Sequence, residues 1–127
     1  MTKILVVEDN PQNLKLARVI LEHAGYEAFG AMDADEADRH LGDHGVPDLI
    51  LMDLGLPGKD GYSYTRELRG RPSTRNVPIL AVTSFAMKGD EAKALEAGCT
   101  AYLTKPIHRL SLLNAIRITL EPPRSGS

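Results

Sequence analysis

The sequence predicts a doubly wound α/β domain with a five-stranded parallel sheet and five helices. Three features predict it: short apolar runs, helical patterns lying between them, and turn-forming or capping residues where each pattern stops. At 127 residues the chain amounts to about one domain.

The first strand is Ile4-Leu5-Val6-Val7, which ends abruptly at Glu8-Asp9-Asn10-Pro11. A run apolar at every position reads as a strand buried on both faces, as in a parallel sheet. A helix follows over residues 11–24, with Pro11 at its first position and Gly25 as its C-terminal cap. Tyr26-Glu27-Ala28-Phe29-Gly30 alternates weakly and suits an edge strand. After a helix over 34–42, Asp48-Leu49-Ile50-Leu51-Met52 repeats the design of the first strand and stops at Asp53. A helix near 62–70 leads to Val77-Pro78-Ile79-Leu80-Ala81-Val82, which ends at Thr83-Ser84. A helix over 88–97 is closed by Gly98, and Thr100-Ala101-Tyr102-Leu103-Thr104 ends at Lys105-Pro106. The last helix spans 107–120 and stops before Pro122-Pro123. Strand followed by helix, repeated along the chain, selects right-handed crossovers with helices on both faces. Residues 1–120 form one domain and 121–127 read as a polar, disordered tail.

Helical spacing predicts the buried faces. In the first helix Leu14, Ala17, Leu21 and Ala24 share a stripe, with Ile20 at its margin and Leu16 and Val19 outside it. In the last, Leu110, Leu113, Ile116 and Leu120 form the stripe and Ile118 lies opposite.

Composition excludes several functions. Fifteen Lys and Arg against seventeen Asp and Glu provide no broad basic footprint for nucleic acid. The single cysteine, Cys99, excludes an internal disulfide framework and a multi-cysteine zinc site, and points to a reducing compartment such as the cytoplasm. Cys99 itself is expected to be a small packed residue. The apolar run before Glu8 is too short for a signal peptide or a membrane span.

In an open parallel sheet, ligands bind beyond the carboxyl ends of the strands, where strand order reverses. Those ends deliver Glu8, Asp9, Asp53, Thr83 and Lys105. Two unit charges about 4 Å apart repel by roughly 4 kcal/mol at an effective dielectric near 20, so three carboxylates there require a positive companion. Oxygen-only ligands suit a hard divalent ion, and Mg²⁺ takes one or two carboxylates together with phosphate oxygens. Three carboxylates, one divalent ion and Lys105 sum to zero charge. A carboxylate so held is a nucleophile toward phosphorus and yields an aspartyl phosphate. Mg²⁺ and Lys105 then neutralise phosphoryl oxygens while Thr83 donates a hydrogen bond.

Four stretches carry a family resemblance: Val7-Glu8-Asp9-Asn10, Leu51 to Gly61 around Asp53, Ala81-Val82-Thr83-Ser84, and Leu103-Thr104-Lys105-Pro106. With these the chain resembles the receiver domains of two-component response regulators over all but its tail. The segment Phe85 to Glu91 is similar to single-domain DivK-type cell-cycle regulators and to receiver modules of hybrid histidine kinases. The resemblance implies the flavodoxin-like strand order 2-1-3-4-5, Asp53 as phosphoacceptor, and Glu8 and Asp9 as the acidic pair for Mg²⁺, with the Gly55 carbonyl as a further ligand. It also implies Thr83 and Tyr102 as switch residues, Lys105 as the phosphate-pairing lysine, and a cis Lys105-Pro106 bond. Phosphorylation would then reshape the face formed by the fourth helix, fifth strand and fifth helix. The partners implied are a histidine kinase or histidine phosphotransfer protein and a downstream protein target.

Gln12, Leu16 and Val19, outside the core stripe of the first helix and near the site, are candidates for docking the four-helix phosphodonor. In the family that the chain resembles, the positions of Gly55 and Phe85 influence how readily water reaches the aspartyl phosphate; the resemblance therefore implies slow self-dephosphorylation, with no side chain at Gly55 to position water and Phe85 expected to cover the phosphate. His23, His40, His44 and His108 lack metal spacing and read as solvated residues, and Gly58 and Gly61 as shaping the turn after Asp53. Two other readings fit less well. An aspartyl-nucleophile phosphatase of the haloacid dehalogenase kind would carry a second acid where Gly55 stands, and a non-phosphorylated pseudo-receiver would not keep the acidic residues, Thr83 and Lys105 together. A receiver module excised from a hybrid histidine kinase remains open alongside a stand-alone regulator.

Overall fold

A computed structural model describes residues 1–84 and 89–121. The strands are β1 (Lys3–Val7), β2 (Glu27–Ala31), β3 (Leu49–Asp53), β4 (Ile79–Thr83) and β5 (Ala101–Thr104). The helices are α1 (Pro11–His23), α2 (Ala34–His44), α3 (Gly61–Arg69), α4 (Asp90–Ala97) and α5 (Arg109–Leu120). All strand pairs are parallel, in the order β2-β1-β3-β4-β5. Phe85, with the cover assigned to it, and the predicted tail after Glu121 lie outside the described residues.

The apolar runs are apolar at every position because both sheet faces are covered. Ile4, Val6, Leu49, Leu51, Leu80 and Val82 point to one side, where Ala17, Ile20 and Leu21 of α1 meet Leu112 and Ile116 of α5. Leu5, Val7, Ile50, Met52, Ile79 and Ala81 point to the other, against Ala34 and Ala37 of α2, Tyr64 and Leu68 of α3 and Ala94 of α4. Period-two alternation thus divides each strand between two cores. Cys99 is buried in the second of these, as expected of a packed residue.

Two predicted core positions are corrected. Ala24 is exposed because α1 ends at His23 and Ala24 is its C-cap, whose amide bonds back to Ile20 and Leu21. Leu110 is 79% exposed, and the core position belongs to Leu112 instead. Helix α5 starts at Arg109, so Leu110 sits in its first turn, while Leu112 and Ile116, one turn apart, join the core with Leu80 and Val82 of β4.

A polar network ties α2 to α3. The buried Tyr64 donates its hydroxyl hydrogen to Asp38 Oδ1 (2.6 Å), and Arg71 grips both Asp38 oxygens (2.8 and 3.2 Å) and Glu67 Oε1 (2.6 Å). Lys59, in the loop after Asp53, pairs with the same Glu67, so the network reaches from α2 to the rim of the strand ends. The hydrogen bonds from Arg71, reinforced by Tyr64 and opposed by burial, hold the Asp38 carboxyl below its usual range.

Truncating Leu112 to Ala should cost about 2–5 kcal/mol in urea unfolding, whereas Leu110→Ala should stay within about 0.5 kcal/mol of the parent. Equal losses would place the α5 face wrongly. For Asp38 the folded-state pKa is depressed, so its stabilisation is present above the unfolded carboxyl's value of 3.8 and lost as pH falls through the folded value. Asp38→Asn should therefore melt below the parent at neutral pH, with the gap closing under acid; a gap constant from pH 7 to 3 would contradict this.

Candidate functional site

Each functional side chain hangs from the carboxyl end of a strand, and the ladder runs past the last strand residue to place it. Glu8 N donates to Ala31 O (2.9 Å), Leu54 N to Val82 O (2.9 Å) and Lys105 N to Thr83 O (2.7 Å). The side chains of Asn10 and Asp60 then cap α1 and α3, turning the chain away from the sheet. What remains between these turns is a cleft of about 250 Å³ lined by Glu8, Asp9, Asn10, Asn13, Asp53, Gly55, Thr83, Ser84 and Lys105.

Inside it, Glu8, Asp53 and Thr83 are buried although polar. Lys105 Nζ lies 2.6 Å from Glu8 Oε1 and 3.2 Å from Asp53 Oδ2. The Gly55 amide donates to Asp53 Oδ1 (2.9 Å) and the Asn10 amide to Glu8 Oε2 (3.2 Å). Carboxylate oxygens of Glu8, Asp9 and Asp53 all lie within 4.8 Å of one another. One ammonium among three such groups leaves two negative charges unbalanced.

The titration behaviour expresses that imbalance. Burial, and then a hydrogen bond with Asp53, push Glu8 up to about 7. Burial works against Asp53 ionising, but the hydrogen bond from Glu8, the Gly55 amide and Lys105 outweigh it and hold its carboxyl below the usual range. A proton held at Glu8 therefore leaves Asp53 as the anionic member of the pair. Lys105 loses basicity to burial and regains more from its two carboxylate partners, so it stays charged. Three convergent carboxylates with no soft ligand among them fit a hard divalent cation, which would take the place of the shared proton.

Gly61 has a role beyond shaping a turn. A Cβ there would lie 2.4 Å from the Asp53 carbonyl oxygen and 2.6 Å from Leu54 Cα, so α3 begins directly on the peptide of Asp53. Gly58, at φ +70°, supplies the left-handed turn that brings the chain there. At Gly55 a Cβ would stand 3.6 Å from Asp53 Oδ1, so a side chain at this position would border the carboxylate.

The other predicted residues are distributed around this cleft. The Lys105-Pro106 bond is cis. Tyr102 is half-buried on β5 against the core shared by α2, α3 and α4. Gln12, Leu16 and Val19 are exposed on α1, but the structure separates the two apolar residues. Leu16 lines a groove of about 370 Å³ with Asn13, Ser84, Lys105, Pro106 and Ile107. Val19 lines a different groove, with Leu14 and Met32. His23, His44 and His108 are exposed, as a solvated reading requires, but His40 is half-buried, its ring 4.8 Å from that of Phe29 and 4.6 Å from that of His44. Sequence reasoning missed Asn13, whose place in the third position of α1 turns it toward the strand ends. No described helix is long and apolar enough to cross a membrane.

An acidic cleft with a paired lysine, set where a 2-1-3-4-5 parallel sheet reverses its order, defines a class. The chain belongs to the response regulator receiver domains, whose family profile matches residues 4–117. These are phosphoacceptor signalling modules of two-component systems, and they interact with histidine kinases and downstream targets. Among its relatives, the polar-differentiation response regulator DivK of Brucella ovis is 45% identical over 108 residues, covering 84% of this chain and 87% of that protein. The DivK of Brucella anthropi is 44% identical over 104 residues, covering 82% of this chain and 84% of that one. Among solved structures, the receiver domain of a sensor histidine kinase from Pseudomonas aeruginosa, with a magnesium ion coordinated in its active-site cleft, aligns with a TM-score of 0.84 at 39% identity, covering 94% of this chain and 97% of that one. The BeF3-activated receiver domain of RstA from Klebsiella pneumoniae aligns with a TM-score of 0.86 at 31% identity, covering 95% and 100%.

Because Gly61 contacts the Asp53 peptide, Gly61→Ala should displace that peptide and lower both thermal stability and the affinity for Mg²⁺ measured by calorimetry. Wild-type Mg²⁺ affinity in a folded Gly61→Ala protein would show that this contact does not position the site.

Proposed function

We propose that Asp53 accepts a phosphoryl group from the phosphohistidine of a histidine kinase or histidine phosphotransfer protein. The observation that carries this reading is the Asp53 carboxylate held ionised at the end of β3 between Lys105, the Gly55 amide and the Glu8–Asp9 pair. Asp53 Oδ forms a bond to phosphorus as the bond from phosphorus to the donor nitrogen breaks, and the electron pair departs with that nitrogen. Glu8, Asp9 and Asp53, with the Gly55 carbonyl, would hold Mg²⁺, which supplies charge neutralisation for the phosphoryl oxygens. Lys105, freed from part of its burden on the carboxylates, pairs with the phosphoryl group, and Thr83 donates a hydrogen bond to it.

Phosphorylation raises the negative charge at Asp53 and adds acceptor oxygens, which draws Thr83 inward. Tyr102, on the neighbouring edge strand β5, then turns toward the vacated space, and the face built from α4, β5 and α5 is the one a downstream protein reads. Gln12 and Leu16 border the site where the four-helix donor docks, and Val19 extends that contact along α1. Residues 1–120 constitute the receiver and 121–127 a tail, in a protein acting in the cytoplasm without contact to nucleic acid or membrane. With no side chain at Gly55 to orient water, the acyl phosphate hydrolyses slowly.

Incubation with acetyl phosphate and Mg²⁺ should add one phosphoryl group by intact mass to the wild type, none to Asp53→Asn, and none when Mg²⁺ is chelated. Equal labelling of both proteins would put the modification elsewhere. After donor removal the label should outlast that of fast-turnover chemotaxis receivers, and an equal or shorter lifetime would refute slow hydrolysis.

A further inference from the structure

We propose that Asn13 contacts the phosphodonor directly and hydrogen-bonds the atom that leaves phosphorus. The inference rests on Asp53 being the phosphoacceptor and extends that reading to the other side of the transferred group. Two cavities meet beside Asp53: the acidic cleft, and the groove walled by Leu16, Pro106 and Ile107. Asn13, Ser84 and Lys105 are the residues that line both and so form the rim between them. A phosphoryl group in reach of Asp53 occupies the cleft, the body of its donor lies in the groove, and the bond that breaks crosses this rim.

The rim residues are not equally available. Lys105 is engaged by Glu8 and Asp53. Asn10, nearby in the cleft wall, spends its side-chain oxygen on the amides of Gln12 and Asn13. The Asn13 carboxamide has no hydrogen-bond partner among the described residues, although the side chain is half-buried. Its backbone is fixed by the α1 cap, so an unengaged donor is held at a defined place on the rim. A neutral amide adds no charge to a cleft already crowded with carboxylates, and its N–H groups attract an electron-rich atom.

In transfer from a phosphohistidine protonated at its other ring nitrogen, Asp53 Oδ bonds to phosphorus and the phosphorus–nitrogen bond breaks. The electron pair stays on the departing nitrogen, and neutral imidazole leaves. Asn13 Nδ2–H donates to that nitrogen as it gains the pair, an interaction stronger in the transition state than in the bound donor. The groove's apolar walls accommodate the ring.

The test uses the whole protein with Mg²⁺ and phosphoimidazole as donor, following intact mass with time. Asn13→Ala should slow labelling of Asp53 by about three- to tenfold, the worth of one hydrogen bond. Asn13→Gln, which keeps the amide, should recover part of the loss. Mg²⁺ affinity by calorimetry and the decay rate of the labelled protein should match the wild type in both variants. Labelling of Asn13→Ala at the wild-type rate would overturn the proposal, and so would a loss of Mg²⁺ affinity in step with the loss of rate, which would make Asn13 merely structural. If the wild type is labelled and Asn13→Ala is unimpaired, only this inference fails; a wild type that takes no label at Asp53 fails the phosphoacceptor reading as well.

Discussion

Three carboxylates gathered around one ammonium govern this molecule. Glu8, Asp9 and Asp53 lie within 4.8 Å of one another, and Lys105 meets only part of their charge. Such crowding is costly in a buried setting, and the cost shows in Glu8, whose carboxyl keeps a proton to a pH where an ordinary glutamate has long lost it. The arrangement is therefore receptive to added positive charge.

The rest of the fold serves to impose that proximity. Parallel pairing places all strand carboxyl ends on one edge, so Glu8, Asp53, Thr83 and Lys105 come together from positions nearly a hundred residues apart. Two apolar cores, one on each face, stabilise the sheet against the local repulsion. Close backbone packing sharpens the placement: α3 rests on the Asp53 peptide through Gly61, and the Lys59–Glu67–Arg71–Asp38 network anchors the intervening loop to α2.

The far side of the sheet is held differently at its two ends. Arg69 donates to the carbonyls of Gly98, Thr74 and Arg75, pinning the C-terminal end of α4 to the loop that follows α3. At its other end α4 starts at Gly89 with no side-chain cap. The C-terminal end of α4, held by Arg69, leads into β5.

Much of this was legible in the chain itself. Apolar runs ending in acids, a threonine and a lysine identify the strands and the chemistry together, because a strand buried on both faces leaves no polar position until it emerges from the sheet. Residue type and local periodicity suffice for that inference. They do not suffice for the phase of α5, where Leu112 displaced Leu110 from the core, or for the end of α1 at Ala24, because a helix face is decided by where the neighbouring sheet lies. The steric demand at Gly61, the burial of His40 against Phe29 and the position of Asn13 on the rim likewise arise between segments far apart in sequence. The amino-acid order alone determined which groups exist and which elements carry them; their distances, and hence the strength of every charge interaction, were decided only when the sheet closed around them.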